Sequence, residues 1–310
     1  MRKTLASWLK ERLRTGGCVL LLGDVGFGLF DDVLADERVV NCGSAEQAMA
    51  CIATGLALAG ELPVIYGIAS FVVTRAAEPI KTGLSYHGAH ALLIGVGAGF
   101  AYGSLGPTHH CLEDVSILKG LPNVKILTPG TPIDLEYLLE MSFADPAVYY
   151  LRVPNDQSAL VESFGDGFLR PAGRLPTRGS VAVVSYGATL GECWEAMQEF
   201  PDVDLFSLLV LDESQARHPL LAGYRTVLFV EEAYRRGSFG ETFAAALPRG
   251  VSCRHVGVES AYPHRHGSWS YYARWAGIDR TRIRNLLSEC TESVPRPEVF
   301  SRGDDDSRSV

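Results

Sequence analysis

Ser44-Ala-Glu-Gln-Ala-Met-Ala-Cys-Ile-Ala-Thr-Gly-Leu-Ala-Leu-Ala-Gly60, followed closely by Pro63-Val-Ile-Tyr66, is the stretch that decides the fold. The first part is rich in Ala, Met and Leu, which lose little side-chain freedom in a helix, and Gly60 closes it. The second is a short apolar run with β-branched residues, the composition of a buried strand. Outward from this pair the alternation continues. Cys18–Leu22 is an apolar strand ending in Gly23-Asp24, and Leu5, Trp8, Leu9 and Leu13 before it form a helical stripe. On the other side come helix Phe71–Leu84, strand Ala91–Val96, helix Cys111–Lys119, strand Val124–Leu127, helix Ile133–Phe143 and strand Ala147–Leu151. Strict alternation of this kind implies a parallel sheet covered on both faces.

Residues 156–178 lack a sustained period and contain Pro171, Pro176 and several glycines, which suits a linker. A second alternation follows over 179–290. It runs through strand Val181–Ser185, a helix near Leu190–Phe200, strands Asp204–Val210 and Thr226–Val230, helix Phe239–Leu247 and a strand around Arg254–Val258. Residues 291–310, with Asp304-Asp305-Asp306 and few apolar side chains, read as a disordered tail. The expected fold class is α/β, with two doubly wound domains (1–155 and 179–290), each a mostly parallel sheet flanked by helices.

Hydrophobic residues make up 47% of the 310 and charged residues 21%, a soluble globular profile. A net charge of −8 argues against a nucleic acid or an anionic membrane as partner, although one basic pocket remains compatible with it. The N-terminus lacks the apolar core of a signal peptide, and Ala89–Tyr102 is too short and glycine-rich to span a bilayer. Seven scattered cysteines (Cys18, Cys42, Cys51, Cys111, Cys193, Cys253, Cys290) form no C-x-x-C pair. Reduced thiols in the cytoplasm, with no zinc site and no disulfide framework, are the expectation.

Within Asn41-Cys-Gly-Ser-Ala-Glu46-Gln47, Ser44 and Gln47 have capping-box spacing, and Glu46 in the first turn would complement the helix dipole. A carboxylate beside Ala45, Ala48 and Met49 can equally be desolvated and share a proton. Local sequence allows both roles at once.

From Val40 to Pro154 the chain resembles the pyrimidine-binding domain of transketolases. The motifs are Asn-x-Gly-x-Ala-Glu-Gln at 41–47, Ile52–Gly60, Phe71 and Arg75, Gly106-Pro-Thr-His-His110, Glu113-Asp114 and Leu121-Pro-Asn-Val124, in that order. The second alternation resembles the family's C-terminal domain more loosely, through Val230-Glu-Glu232 and Gly237-x-x-Gly240. The resemblance implies that Glu46 hydrogen-bonds the pyrimidine of thiamine diphosphate. That bond favours the imino tautomer, which takes the proton from the thiazolium C2 and leaves a carbanion. Phe71 matches the aromatic that stacks on the pyrimidine, and Asp24 a loop near the cofactor. Without the resemblance, the same two residues would pass for a core phenylalanine and a turn former. His109 matches a substrate-contacting histidine, and Arg2 and Arg152 match arginines that grip a substrate phosphate. Ile68 and Thr74 stand where the family often has further aromatics.

Thiamine enzymes hold the diphosphate through Mg²⁺ with a Gly-Asp-Gly motif after a strand and a later asparagine. Gly165-Asp-Gly167 lies in the expected linker, no asparagine follows before Asn285, and the motif reads as a turn. The resemblance therefore implies a split enzyme. The cofactor's diphosphate and Mg²⁺ would be bound mainly by an N-terminal-type transketolase subunit, in a heterotetramer with two chains of each kind. Where ketose-phosphate transketolases carry a hydroxyl-binding histidine and aspartate, alignment on His109 places Gly97 and Leu105. Each buried hydrogen bond lost that way costs about 1–3 kcal/mol, which points to an altered donor or acceptor. The expected reaction is transfer of a two-carbon ketol unit from a ketose-type donor to an aldehyde-type acceptor. The β subunit of a 2-oxo acid dehydrogenase and a non-catalytic scaffold subunit are the alternatives.

Overall fold

The computed structural model describes residues 1–154, 163, 165–175 and 179–292. Part of the expected linker and nearly all of the expected tail lie outside them. The first domain begins with α1 (Arg2–Arg14), β1 (Val19–Leu22), β2 (Val39–Asn41), α2 (Glu46–Leu58) and β3 (Pro63–Ile68). Next come α3 (Ala69–Thr74), α4 (Ala77–Pro79) running into a π-helical turn Ile80–Ser85, β4 (Ala91–Val96), α5 (Asp114–Leu118), β5 (Val124–Leu127), α6 (Pro132–Ala144) and β6 (Val148–Val153). The strands form one sheet in the order β2-β1-β3-β4-β6-β5, every neighbouring pair parallel.

Alternating side chains send the two faces of this sheet to two helix layers. Leu20, Val64, Ile94 and Leu151 pack on α1 and α6 through Leu5, Leu9, Leu135 and Leu138. Leu21, Ile65, Leu93 and Tyr150 pack on α2 and α3 through Met49, Ala53, Val72 and Val73, and that core continues into the second domain through Val184, Tyr186 and Phe229. Each such side chain contributes about 1.5–3 kcal/mol, so face-to-face burial outweighs any single polar contact in setting the layers.

The second domain contains β7 (Leu169–Gly173), β8 (Val181–Ser185), α7 (Thr189–Met197), β9 (Val203–Leu208), β10 (Thr226–Tyr234), α8 (Phe239–Ala246), β11 (Ser252–Val258), α9 (Trp269–Ala276) and α10 (Arg280–Glu292). Its sheet order is β11-β10-β8-β9-β7, parallel except for β7 against β9. The domains are joined through backbone: Thr128 N–H donates to the Leu209 carbonyl at 2.8 Å, Leu211 N–H to Ile126 at 3.0 Å and Tyr234 N–H to Leu112 at 3.0 Å.

Three expectations are corrected. The linker reading of 156–178 fails at β7, an antiparallel edge strand; Pro171 and Arg170 hid it, yet an edge tolerates a residue without an N–H. Ser44 does not cap α2: Ala45 holds the N-cap position with no side-chain bond. The capping box sits instead at α6, where Thr131 Oγ1 accepts from Asp134 N–H and Asp134 Oδ2 accepts from Thr131 N–H, both at 3.1 Å, with Pro132 at the first helical position. The helix expected over 111–119 shortens to α5, because Gly99 and Cys111 exchange backbone hydrogen bonds at 2.9 Å in each direction.

Candidate active site

The candidate residues follow the C-terminal ends of adjacent parallel strands, where open α/β sheets place their ligand crevices. Asp24 follows β1, Glu46 follows β2, Phe71 follows β3, and the 97–110 loop with His109 follows β4. β1 lies between β2 and β3, so the chain changes winding direction there.

Glu46 is 3% exposed although it is the first residue of its helix. Its Oε2 accepts from Arg75 Nη1 at 2.9 Å. Arg75, one turn after Phe71, lays its guanidinium over the Phe71 ring, 4.1 Å from the centroid. The His109 ring meets Phe71 edge-on at 5.1 Å and Tyr102 at 6.4 Å, and its Nδ1 lies 3.0 Å from Thr108 Oγ1. Glu46, Arg75, Phe71 and His109 are thus one connected cluster. Glu46 and Arg75 open on a cavity of about 690 Å³, lined also by Ser44, Gln47, Ala48 and Cys51.

Arg2 lies at the start of α1 against Tyr66; burial raises the Tyr66 hydroxyl and the Arg2 cation partly offsets it. Tyr102 also acts on that hydroxyl, so Arg2, Tyr66 and Tyr102 lead towards His109. Asp24 is exposed in the left-handed region at φ +53°, a conformation aspartate tolerates in turns. His110 points the other way, into Phe100 and Tyr272, and burial holds its pKa down at about 4, so the ring is neutral.

Arg152 departs most from expectation. It is fully buried, with Nε donating to Asp114 Oδ2 at 2.8 Å and Nη2 to the carbonyls of Cys111 at 3.2 Å and Glu232 at 2.9 Å. A guanidinium engaged this way is closed to a substrate phosphate, and Arg152 is corrected to an internal ion pair. Arg75 and Glu232 stand inside the sequence motifs with no role legible there, and nothing local in the sequence marks Tyr102. The Tyr102 ring lies where a Cβ on Gly97 would go, 2.0 Å from its Cε2, so Gly97 and Tyr102 are one feature. Among the described residues, no group of three or more His, Cys, Asp or Glu side chains is placed to hold a metal ion.

Residues 1–158, half of the chain, match the family described as transketolase, pyrimidine binding domain. The chain belongs to that family. Among its relatives is a subunit of the apulose-4-phosphate transketolase of Actinobacillus succinogenes, 28% identical over 263 residues that span 81% of this chain and 84% of the relative. A 6-deoxy-6-sulfo-D-fructose transketolase subunit from a Clostridium species is 25% identical over 82% of each chain. In fold the chain resembles a split-gene transketolase, solved as an inactive beta4 tetramer, with a TM-score of 0.79 at 19% identity over 94% of this chain and 98% of that one. The match to the Campylobacter jejuni transketolase covers 93% of this chain but only 46% of that one, at a TM-score of 0.77 and 18% identity. This chain is a transketolase-like subunit, a thiamine-diphosphate-dependent transferase, and the dehydrogenase and scaffold alternatives are set aside.

Proposed function

We propose that the chain is the pyrimidine-side half of a split transketolase acting on a specialised sugar, with the diphosphate and Mg²⁺ held by an N-terminal-type partner. Two chains of each kind would form the working heterotetramer, in the cytoplasm. One observation carries the reading: a buried carboxylate, 3% exposed, stands at the mouth of a cavity of about 690 Å³ beside a half-buried phenylalanine. A buried carboxylate facing open space has an acceptor to offer a ring nitrogen, and Phe71 has a face to offer the ring. These residues fit the pyrimidine end of thiamine diphosphate, which when bound supplies the nucleophilic carbon for ketol transfer.

Glu46 fixes the protonation state of the ring by accepting its N–H. Phe71 sets the plane of the ring. Arg75 covers Phe71 and pairs with Glu46, so it has to swing aside, as its 49% exposure permits. His109, held by Phe71 and Thr108, donates to or accepts from a substrate hydroxyl. Arg2 supports an anionic end of the substrate, with Tyr66 and Tyr102 between it and His109. Asp24 shapes the turn beside the cofactor. Ile52 and Leu58 are exposed apolar side chains of α2, the helix that Glu46 begins, and suit contact with the partner chain. Gly97 with Tyr102, and the half-exposed Leu105, support a donor other than the usual ketose phosphates.

The test is co-expression with the protein encoded beside it, followed by titration with thiamine diphosphate and an assay of two-carbon transfer from a panel of ketoses. The complex is expected to bind the cofactor and this chain alone to bind it weakly. Tight binding by the isolated chain would falsify the split-site reading.

A further inference from the structure

We propose that Glu232, on β10 of the second domain, is a positioning residue for the 97–110 loop and hence for His109. Its Oε1 accepts from the Phe100 N–H at 2.8 Å and from Trp269 Nε1 at 2.7 Å, and the side chain is 1% exposed. The loop is moulded on this carboxylate. Gly99 lies at φ +65°, and a Cβ there would sit 2.1 Å from Glu232 Cδ, so no side chain fits between loop and carboxylate. Arg152 ties the same places from behind, since its Nη2 donates both to Cys111, at the end of the loop, and to the Glu232 carbonyl.

The middle of the loop is held from the same side. Phe100 stacks on Tyr272 at 5.0 Å with planes 13° apart, and the Tyr272 hydroxyl shares its proton between the carbonyls of Arg265 at 2.8 Å and Gly103 at 3.2 Å. Among the described residues, the rings that His109 meets, Phe71 and Tyr102, both belong to the first domain. The second domain therefore acts on His109 through the loop backbone. Burial pushes the Glu232 carboxyl up to about 7, Arg152 opposing, and Oε2 has no hydrogen-bond partner among the described residues. A neutral amide should therefore serve in its place.

The relevance of His109 rests on the proposed function, so the first readout does not depend on activity. Glu232→Met keeps the volume and removes the acceptor; Glu232→Gln keeps the acceptor. Hydrogen exchange of the isolated chain is expected to quicken roughly tenfold over 97–111 in Glu232→Met, with α2 and the β8–β10 core unchanged and Glu232→Gln matching the parent. In the complex with the partner, Glu232→Met should raise the donor KM several-fold at unchanged cofactor affinity, and Glu232→Gln should restore it. Unchanged loop exchange in Glu232→Met overturns the proposal, as does loss of protection throughout the second domain. If no version of the complex transfers carbon while the exchange pattern appears, the functional reading fails and the positioning role stands.

Discussion

Two arginine–carboxylate pairs in this chain have nearly the same length and opposite surroundings. Glu46–Arg75 spans 2.9 Å, with the acid 3% and the base 49% exposed. Asp114–Arg152 spans 2.8 Å, with both at 1% or below. The open pair rests on one ring, so a ligand can replace the arginine. The closed pair is buried and tied at several points: the Tyr150 hydroxyl donates to Asp114 Oδ2 at 2.8 Å, and carbonyls of both domains accept from Arg152, while Asp114 Oδ1 has no partner among the described residues. Both arginines stand in motifs of one family, yet only surroundings separate an exchangeable contact from a structural one.

The sharpest way to break this comparison is to remove each base or acid in turn. Arg152→Leu leaves Asp114 buried and unpaired, and should cost about 3–5 kcal/mol in urea unfolding. Asp114→Asn together with Arg152→Leu should recover a large part of that loss; a double variant as unstable as the single one would show that the charge pairing is not what matters. Glu46→Gln should leave stability within about 1 kcal/mol, because its partner is half in water. In the assembled enzyme the same substitution should lower carbon transfer roughly hundredfold or more. Full activity would sink its role as the proton-sharing group.

Strands β4 and β8 were legible to the residue, because a strand covered on both faces is a nearly continuous apolar run. β7 was illegible for the opposite reason: as an edge strand it carries Arg170, which pairs with Asp134 of α6 across the domains. Of the candidate site, Glu46, Phe71 and His109 were readable through motif order, and the structure brings them together. Arg152 was misassigned because its partner Asp114 lies 38 residues away, and nothing local marks a position as buried. Glu232 was quoted as part of a motif, but its contact to Phe100 spans 132 residues, beyond any sequence period.

A pH series sharpens the same contrast at up to about 3 kcal/mol for each group. Burial raises Glu232 from 4.5 to about 7, against Arg152 of β6 and aided by Asp114 of α5. The folded chain holds that proton more tightly than the unfolded chain, so this contribution is complete below about 4.5 and is lost as pH rises through about 7. Burial lowers His110 from 6.5 to about 4, with His109 and His266 adding to it, so its contribution is present above 6.5 and lost as pH falls through about 4. The two slopes oppose each other across one window. Glu232→Gln should therefore uncover stability that rises with pH, and His110→Gln stability that falls with it. Urea midpoints for both variants running parallel to the parent between pH 4.5 and 7 would remove both assignments.

The smallest expected change tests the open pair from its other side. Arg75 makes with Phe71 and Glu46 the two contacts assigned above to the cofactor ring: a flat cation over the phenyl face and a donor to the carboxylate. A group that imitates the ligand competes with it, and its removal should help binding by the free energy of the contact it gave up. That contact is half solvated and worth less than about 1 kcal/mol, or a few-fold in affinity. Arg75→Met should therefore leave unfolding almost unchanged and tighten cofactor binding of the assembled enzyme two- to fivefold, roughly the 0.4–1 kcal/mol of an exposed pair. Weaker binding in that variant would mean that Arg75 stays in place beside the cofactor, and the open pair would then be as fixed in function as the closed pair is in structure.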